Sequence, residues 1–233
     1  MFVNVDDAGN DLTMLIYGDN RSGKTHLLAS AYELEELNPI MIDADRGVAT
    51  WKKIPGSKSI KVWQFDPAKA KLSQLNEVLK LVEENKCQLL MFDSLSFFMH
   101  EVVVEKSPTG KTPIETWNWL FTNISMFLTN LSKICRNYIF TAFGEPITIR
   151  GMNEIEPKTI GIEPMVYGHK FPKYLMNYFN IIAYIETKII SNKLTTTLNV
   201  RPEGFYVTGD RLGKLTKLTN PSLKDIYNTI KEV

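Results

Sequence analysis

LIYGDNRSGKTHLLAS, residues Leu15 to Ser30, runs from an apolar segment through two glycines into a helical pattern. Gly18-Asp19-Asn20-Arg21-Ser22-Gly23-Lys24-Thr25 satisfies G-x-x-x-x-G-K-S/T at every required position. The spacing has a physical reason. Glycines let the backbone curl into a nest whose N–H groups converge on phosphate oxygens, and the helix that follows adds its positive end. Lys24 is placed to reach the terminal phosphates, the Thr25 hydroxyl to coordinate Mg²⁺, and His26 lies next to both. An apolar strand before the loop and a helix after it are what this mechanism needs, and both patterns are present.

A phosphate loop needs a carboxylate to hold its metal, normally at the end of a neighbouring strand. LLMFDS supplies one: four apolar residues and then Asp93. An acid ending a buried strand is costly without a cationic partner, and Mg²⁺ is such a partner. Thr25 and Asp93 are therefore the expected metal side of the site. Catalysis also requires a base or water-positioning group. MIDADRG ends its apolar run with Asp43 and Asp45, and Glu145 follows the apolar IFTAF. Any of the three acids fits the role by position, and each also fits an ordinary turn or surface acid.

Working outward, apolar runs alternate with helical patterns. LTMLIYG, PIMIDAD, SIKVWQF, QLLMFDSLSFF and NYIFTAF read as strands. THLLASAYELEEL, KLSQLNEVLKLVEENK and IETWNWLFTNISMFLTNLSKI read as helices. In the last helix Trp117, Leu120, Phe121, Ile124 and Leu128 share a face, which core packing explains. The alternation predicts an α/β protein with a central, mostly parallel sheet flanked by helices. YFNIIAYIETK, KLTTTLNVRPE and FYVTGD predict an antiparallel extension near the C-terminus, and NPSLKDIYNTIKEV a closing helix. No linker interrupts the pattern, so one domain is expected over residues 1–233. Val104 to Glu115 and Gly144 to Gly168 read as loops of a length found where a loop is mobile or functional.

A composition of 44% hydrophobic and 23% charged residues is that of a soluble globular protein, and the net charge of +1 does not exclude nucleic acid as a partner. Cys87 and Cys135 read as core residues in a reducing compartment, and His100 and His169 are too isolated for a metal site. The chain carries no secretory signal pattern and no apolar run of membrane-spanning length, so a cytoplasmic protein is expected.

The motif order is the phosphate loop, MIDADRG, LLMFDS, IFTAFGE and a late VTGDRLGKL. It resembles the small phage-encoded ATPases of the RecA-like group, including the single-strand-annealing, Sak-type proteins, a group counted with the AAA superfamily. The resemblance spans about residues 12–230 and implies a RecA-like P-loop NTPase that uses ATP and Mg²⁺. It places Lys24 and Thr25 on phosphate and metal, Asp93 on the metal side, and Asp45 where the group carries a catalytic glutamate. Asp45 is one methylene short of that glutamate, and the group's sensor histidine is missing from TAFGE. Arg211 falls on the late arginine that reaches a neighbouring subunit's nucleotide, implying a homo-oligomer. The two long loops correspond to segments that touch single-stranded DNA, which makes Lys106, Lys111, Arg150 and Lys158 candidate DNA contacts. Glu154, Glu156 and Glu163 in the second loop oppose this.

The function implied is ATP-dependent action on single-stranded DNA in phage recombination or annealing, in the cytoplasm of an infected host. A single-strand-binding or replication protein is a further candidate partner. Two other readings share the phosphate loop: a nucleotide-dependent scaffold or helicase loader with little turnover, and a small-molecule or nucleotide kinase. Against the kinase, the long loops lack an arginine-rich lid.

Overall fold

The computed structural model describes residues 10–106, 113–149, 156–166 and 171–232. Strands β1 (Thr13–Gly18), β2 (Ile40–Asp43), β3 (Lys61–Gln64), β4 (Leu89–Asp93), β5 (Asn137–Ile149) and β7 (Ile181–Ile190) lie parallel in the order β3-β2-β4-β5-β1-β7. β8 (Lys193–Asn199) and β10 (Leu218–Thr219) extend the sheet antiparallel beyond β7. β6 (Lys158–Pro164) pairs with the outer half of β5, and β9 (Gly209–Asp210) with the start of β7.

The parallel strands are apolar on both faces because both faces are covered. Leu15, Tyr17, Ile40, Ile42, Leu90, Phe92 and Phe140 point into one core. That core is closed by α2 (Leu75–Glu84), α3 (Leu95–Lys106), α4 (Pro113–Ile134) and α5 (Phe171–Leu175). Met14, Ile16, Met41, Met91 and Ile139 point the other way, against α1 (Lys24–Ala29) and α6 (Leu223–Lys231). Cys87 and Cys135 are buried free thiols in the first core. α6 opens with a capping box between Ser222 and Asp225.

The sheet is the predicted one, with four local corrections. β4 stops at Asp93, and the apolar residues after it turn into α3 instead of prolonging the strand. A mixed apolar segment next to a strand is open to either reading by periodicity alone. α1 ends at Ala29, and Ser30–Leu37 continues as a tighter 3₁₀ coil broken at Leu34. The Ser30 hydroxyl donates to the Leu27 carbonyl and accepts from the Leu223 N–H, a side-chain bond that competes with the helical ladder. β7 belongs to the parallel part of the sheet, so the antiparallel extension begins only at β8. Finally, the expected loop after Gly144 is largely a hairpin, because β5 continues to Ile149 and pairs with β6.

Candidate functional site

The phosphate loop rises from the C-terminal end of β1, in the middle of the sheet. Gly18 is obligatory on steric grounds: a Cβ there would lie 2.2 Å from the Ile185 carbonyl oxygen of β7. Arg21 and Gly23 take left-handed conformations, with φ of 64° and 100°, which curl the loop. The β7–β8 hairpin braces it from the side. Thr187 Oγ1 donates to the Ser22 carbonyl at 2.8 Å and lies 2.9 Å from Thr196 Oγ1. From the other side Trp51 donates its indole N–H to the Thr25 carbonyl at 2.8 Å.

Lys24 is buried inside this curl. Its ammonium donates to the carbonyls of Gly18 at 2.8 Å and Asp19 at 2.7 Å. It also lies 5.5 Å from the centre of the Phe143 ring. Burial lowers its pKa to about 8, against the upward pull of Asp93, Asp19 and Asp45. Asp93 is buried at the end of β4 and lines the same cavity as Lys24. Thr25 Oγ1 donates to its Oδ2 at 2.6 Å, and Thr141 of β5 donates to Oδ1. Burial raises the Asp93 pKa, while the two hydroxyls and Lys24 hold it down.

Asp45 sits beyond the end of β2 on the rim of the same cavity. Its Oδ1 accepts from the Gly47 N–H at 2.9 Å. Burial, then the charge of Asp93, raises its pKa to about 6. The cavity has a volume of about 340 Å³, with Asn20, Lys24, Thr25, Asp45, Asp93 and Phe143 among its lining. A second cavity of about 410 Å³ adjoins it across Arg21, Gly23 and His26, and is otherwise lined by Leu27, Thr187, Leu194, Thr196, Asn220 and Pro221.

The structure thus brings Lys24, Thr25, Asp45 and Asp93 together with the loop residues Asn20 to His26. It does not bring Glu145 there. Glu145 is exposed on the β5–β6 hairpin, opposite Glu163, because β5 runs past the cavity instead of ending at it. Thr141 and Phe143 occupy the place expected for it. Nothing in the sequence marks Thr141 beyond one hydroxyl in an otherwise apolar run. Arg211 is also remote from its own chain's phosphate loop. It follows β9 at the opposite end of the strands, with its guanidinium on the Asn177 carbonyl and side chain at 3.1 and 2.9 Å. Among the DNA candidates, Lys106 ends α3 with its ammonium 4.6 Å from the centre of the Trp119 ring, and Lys158 is exposed at the start of β6. Lys111 and Arg150 lie outside the described residues.

A family description of an AAA domain matches residues 10–212, which take in every strand from β1 to β9 and the whole cavity. The chain belongs to this AAA-domain family. No curated protein matches it. An AAA domain is a nucleotide-binding ATPase module, and the site has the groups for that work: a backbone nest, a buried cation and a metal-side acid. The donor set fits Mg²⁺. Thr25 offers a hydroxyl lone pair while its proton is held by Asp93, and Mg²⁺ prefers one or two such protein groups plus phosphates and water. Among the described residues no three His, Cys, Asp or Glu side chains form a metal site of their own. No helix among the described residues is long and apolar enough to cross a membrane.

Proposed function

We propose that this AAA domain binds ATP with Mg²⁺, hydrolyses it, and couples the cycle to single-stranded DNA as a homo-oligomer. The proposed setting is recombination or annealing in a phage-infected cell, with a single-strand-binding or replication protein as a further partner. The observation carrying the nucleotide half is the clamp on Asp93: hydroxyls from α1 and β5 hold its two oxygens in the cavity that Lys24 also lines. The triphosphate occupies the cavity at Lys24 and Thr25, and the base takes the adjoining cavity at His26, Asn220 and Pro221. Thr25 would hold Mg²⁺ and Asp93 would orient it, and the ion would supply charge neutralisation on the phosphates. Asp45 is the candidate for positioning the attacking water.

The DNA half is supported by continuity of one strand. Thr141 touches Asp93, and the same β5 then forms a hairpin carrying Lys158 next to Ile149. In this reading a change at the phosphate end reaches Lys158 along β5, past the irregularity at Ile147/Thr148 and despite Glu145 and Glu163 on the same hairpin. Phosphate contacts of this kind give sequence-tolerant, salt-sensitive binding.

ATP turnover measured with and without single-stranded DNA tests the proposal. Stimulation by DNA, lost on reversing the charge of Lys158, is the expected result; phosphoryl transfer to a nucleoside monophosphate would overturn it. A second reading, a scaffold or loader with little turnover, is favoured by one observation. Asp45 is short, and one of its oxygens is engaged by Gly47. Tight ATP binding with negligible hydrolysis, DNA present or absent, is its signature.

A further inference from the structure

Asp43 does not line the phosphate cavity, and its surroundings are unusual. It ends β2, is 1% exposed, and stands in register between Gln64 of β3 and Asp93 of β4. Neighbouring strands are about 4.8 Å apart, and in-register residues of parallel strands put their side chains on the same face. Gln64, Asp43, Asp93 and Thr141 therefore form one polar row across four strands, leading from the exposed edge of the sheet to the floor of the phosphate cavity. Gln64 Nε2 donates to Asp43 Oδ2 at 2.7 Å. Asp43 Oδ1 is buried and has no hydrogen-bond partner among the described residues.

A buried carboxylate oxygen without a partner is destabilising, more so than a neutral unsatisfied group. Placing it beside Asp93 adds like-charge repulsion, and its charge is felt at both Asp93 and Asp45. Neither cost serves the fold, since an apolar residue of similar size would pack the row better. Both reverse sign when a divalent cation arrives, because two buried carboxylates attract it through a medium that screens poorly. Asp93 has limited capacity to satisfy a hydrated ion alone, with both its oxygens already bonded to hydroxyls.

We propose that Asp43 is a positioning residue for the divalent cation: its unpaired oxygen and buried charge, one strand behind Asp93, set the site's affinity for Mg²⁺. This rests on the nucleotide–Mg²⁺ reading of the cavity. Asp43 touches neither nucleotide nor reacting atoms; it acts through Asp93 and the water shell that Mg²⁺ retains.

The test uses the full chain and equilibrium binding of a non-hydrolysable ATP analogue, titrated with Mg²⁺ and repeated in chelator. Asp43→Asn keeps the shape and removes the charge. It is expected to raise the half-saturating Mg²⁺ by about tenfold, with metal-free affinity for the analogue within about twofold of the original protein. Gln64→Lys is the second variant. It lies on the exposed strand edge, leaves the core untouched, and puts a cation against Asp43, so the same rise is expected. A half-saturating Mg²⁺ unchanged in both variants would overturn the proposal. A purely structural role predicts altered thermal stability with the Mg²⁺ titration unmoved, which also overturns it. If the original protein binds the analogue equally well with and without Mg²⁺, the reading of the cavity falls, and this inference with it.

Discussion

At the scale of single residues, the site is a set of buried charges that constrain one another. Lys24 is pulled down by burial and held up by three acids, whereas Asp45 is pushed up by burial and by Asp93. The sign at Asp45 has a measurable consequence. Its pKa in the fold is about 6 against an ordinary 3.8, so the folded state holds the proton more tightly than the unfolded chain. Stability contributed at this position is therefore present at low pH and lost as pH rises towards 6. Asp45→Asn should match the original protein in thermal midpoint near about pH 4 and exceed it near about pH 7.5. Calorimetry across that range checks the difference, and a gap that is the same at both ends would refute the shift. Lys24, Thr25 and Asp93 were legible one residue at a time because each belongs to a motif whose spacing has a mechanical reason. Thr141 and Asp43 were not assignable, because a hydroxyl or an acid at a strand end takes its meaning from the strand beside it.

At the scale of elements, the phosphate loop is braced by the β7–β8 hairpin, a part of the chain far from it in sequence. Thr187 donates to the Ser22 carbonyl and meets Thr196, and Asn220 exchanges hydrogen bonds with the Thr196 backbone. Thr187→Val keeps the volume and removes the hydroxyl, leaving the Ser22 carbonyl without its donor. The expected cost is about 1 kcal/mol of stability, together with weaker nucleotide binding. Denaturant unfolding and analogue binding measure the two, and an unchanged affinity would show the brace to be irrelevant to the loop's shape. The element boundaries that departed from expectation share a cause. β5 runs past Gly144 because β6 pairs with it, and β7 is parallel because it lies against β1. Pairing partners are tertiary facts, so the apolar runs gave strand character but neither strand length nor direction.

At the scale of the whole molecule, the two charged groups expected to meet across a nucleotide lie at opposite ends of the strands. Lys24 is at the C-terminal end of β1, and Arg211 is beside Asn180, where β7 begins. Gly18 lies against Ile185 whereas Asp210 pairs with Ile181, a separation of about 13 Å along β7 at ~3.3 Å per residue. The Arg211 guanidinium is engaged by Asn177, so Arg211 is placed to serve a nucleotide of another copy rather than its own. Lys24→Ala and Arg211→Ala should each abolish turnover in a homo-oligomer, the first by eliminating binding and the second with binding intact. Mixed together, they should regain part of the activity, since some interfaces then combine an intact Lys24 with an intact Arg211. Turnover of the mixture that stays at the level of the separate variants would exclude this shared site.

The sequence by itself determined the phosphate-loop motif at Gly18–Thr25, the acid ending the strand at Asp93, and an α/β sheet buried on both faces. Those features are local: loop spacing, a charge ending an apolar run, and periodicity within a segment. Only the tertiary structure decided that Thr141 and Asp43 flank Asp93, that Glu145 leaves the cavity, and that Arg211 faces away from it. Strand order sets which side chains become neighbours, and strand order depends on pairings between residues scores of positions apart, where spacing along the chain carries no information.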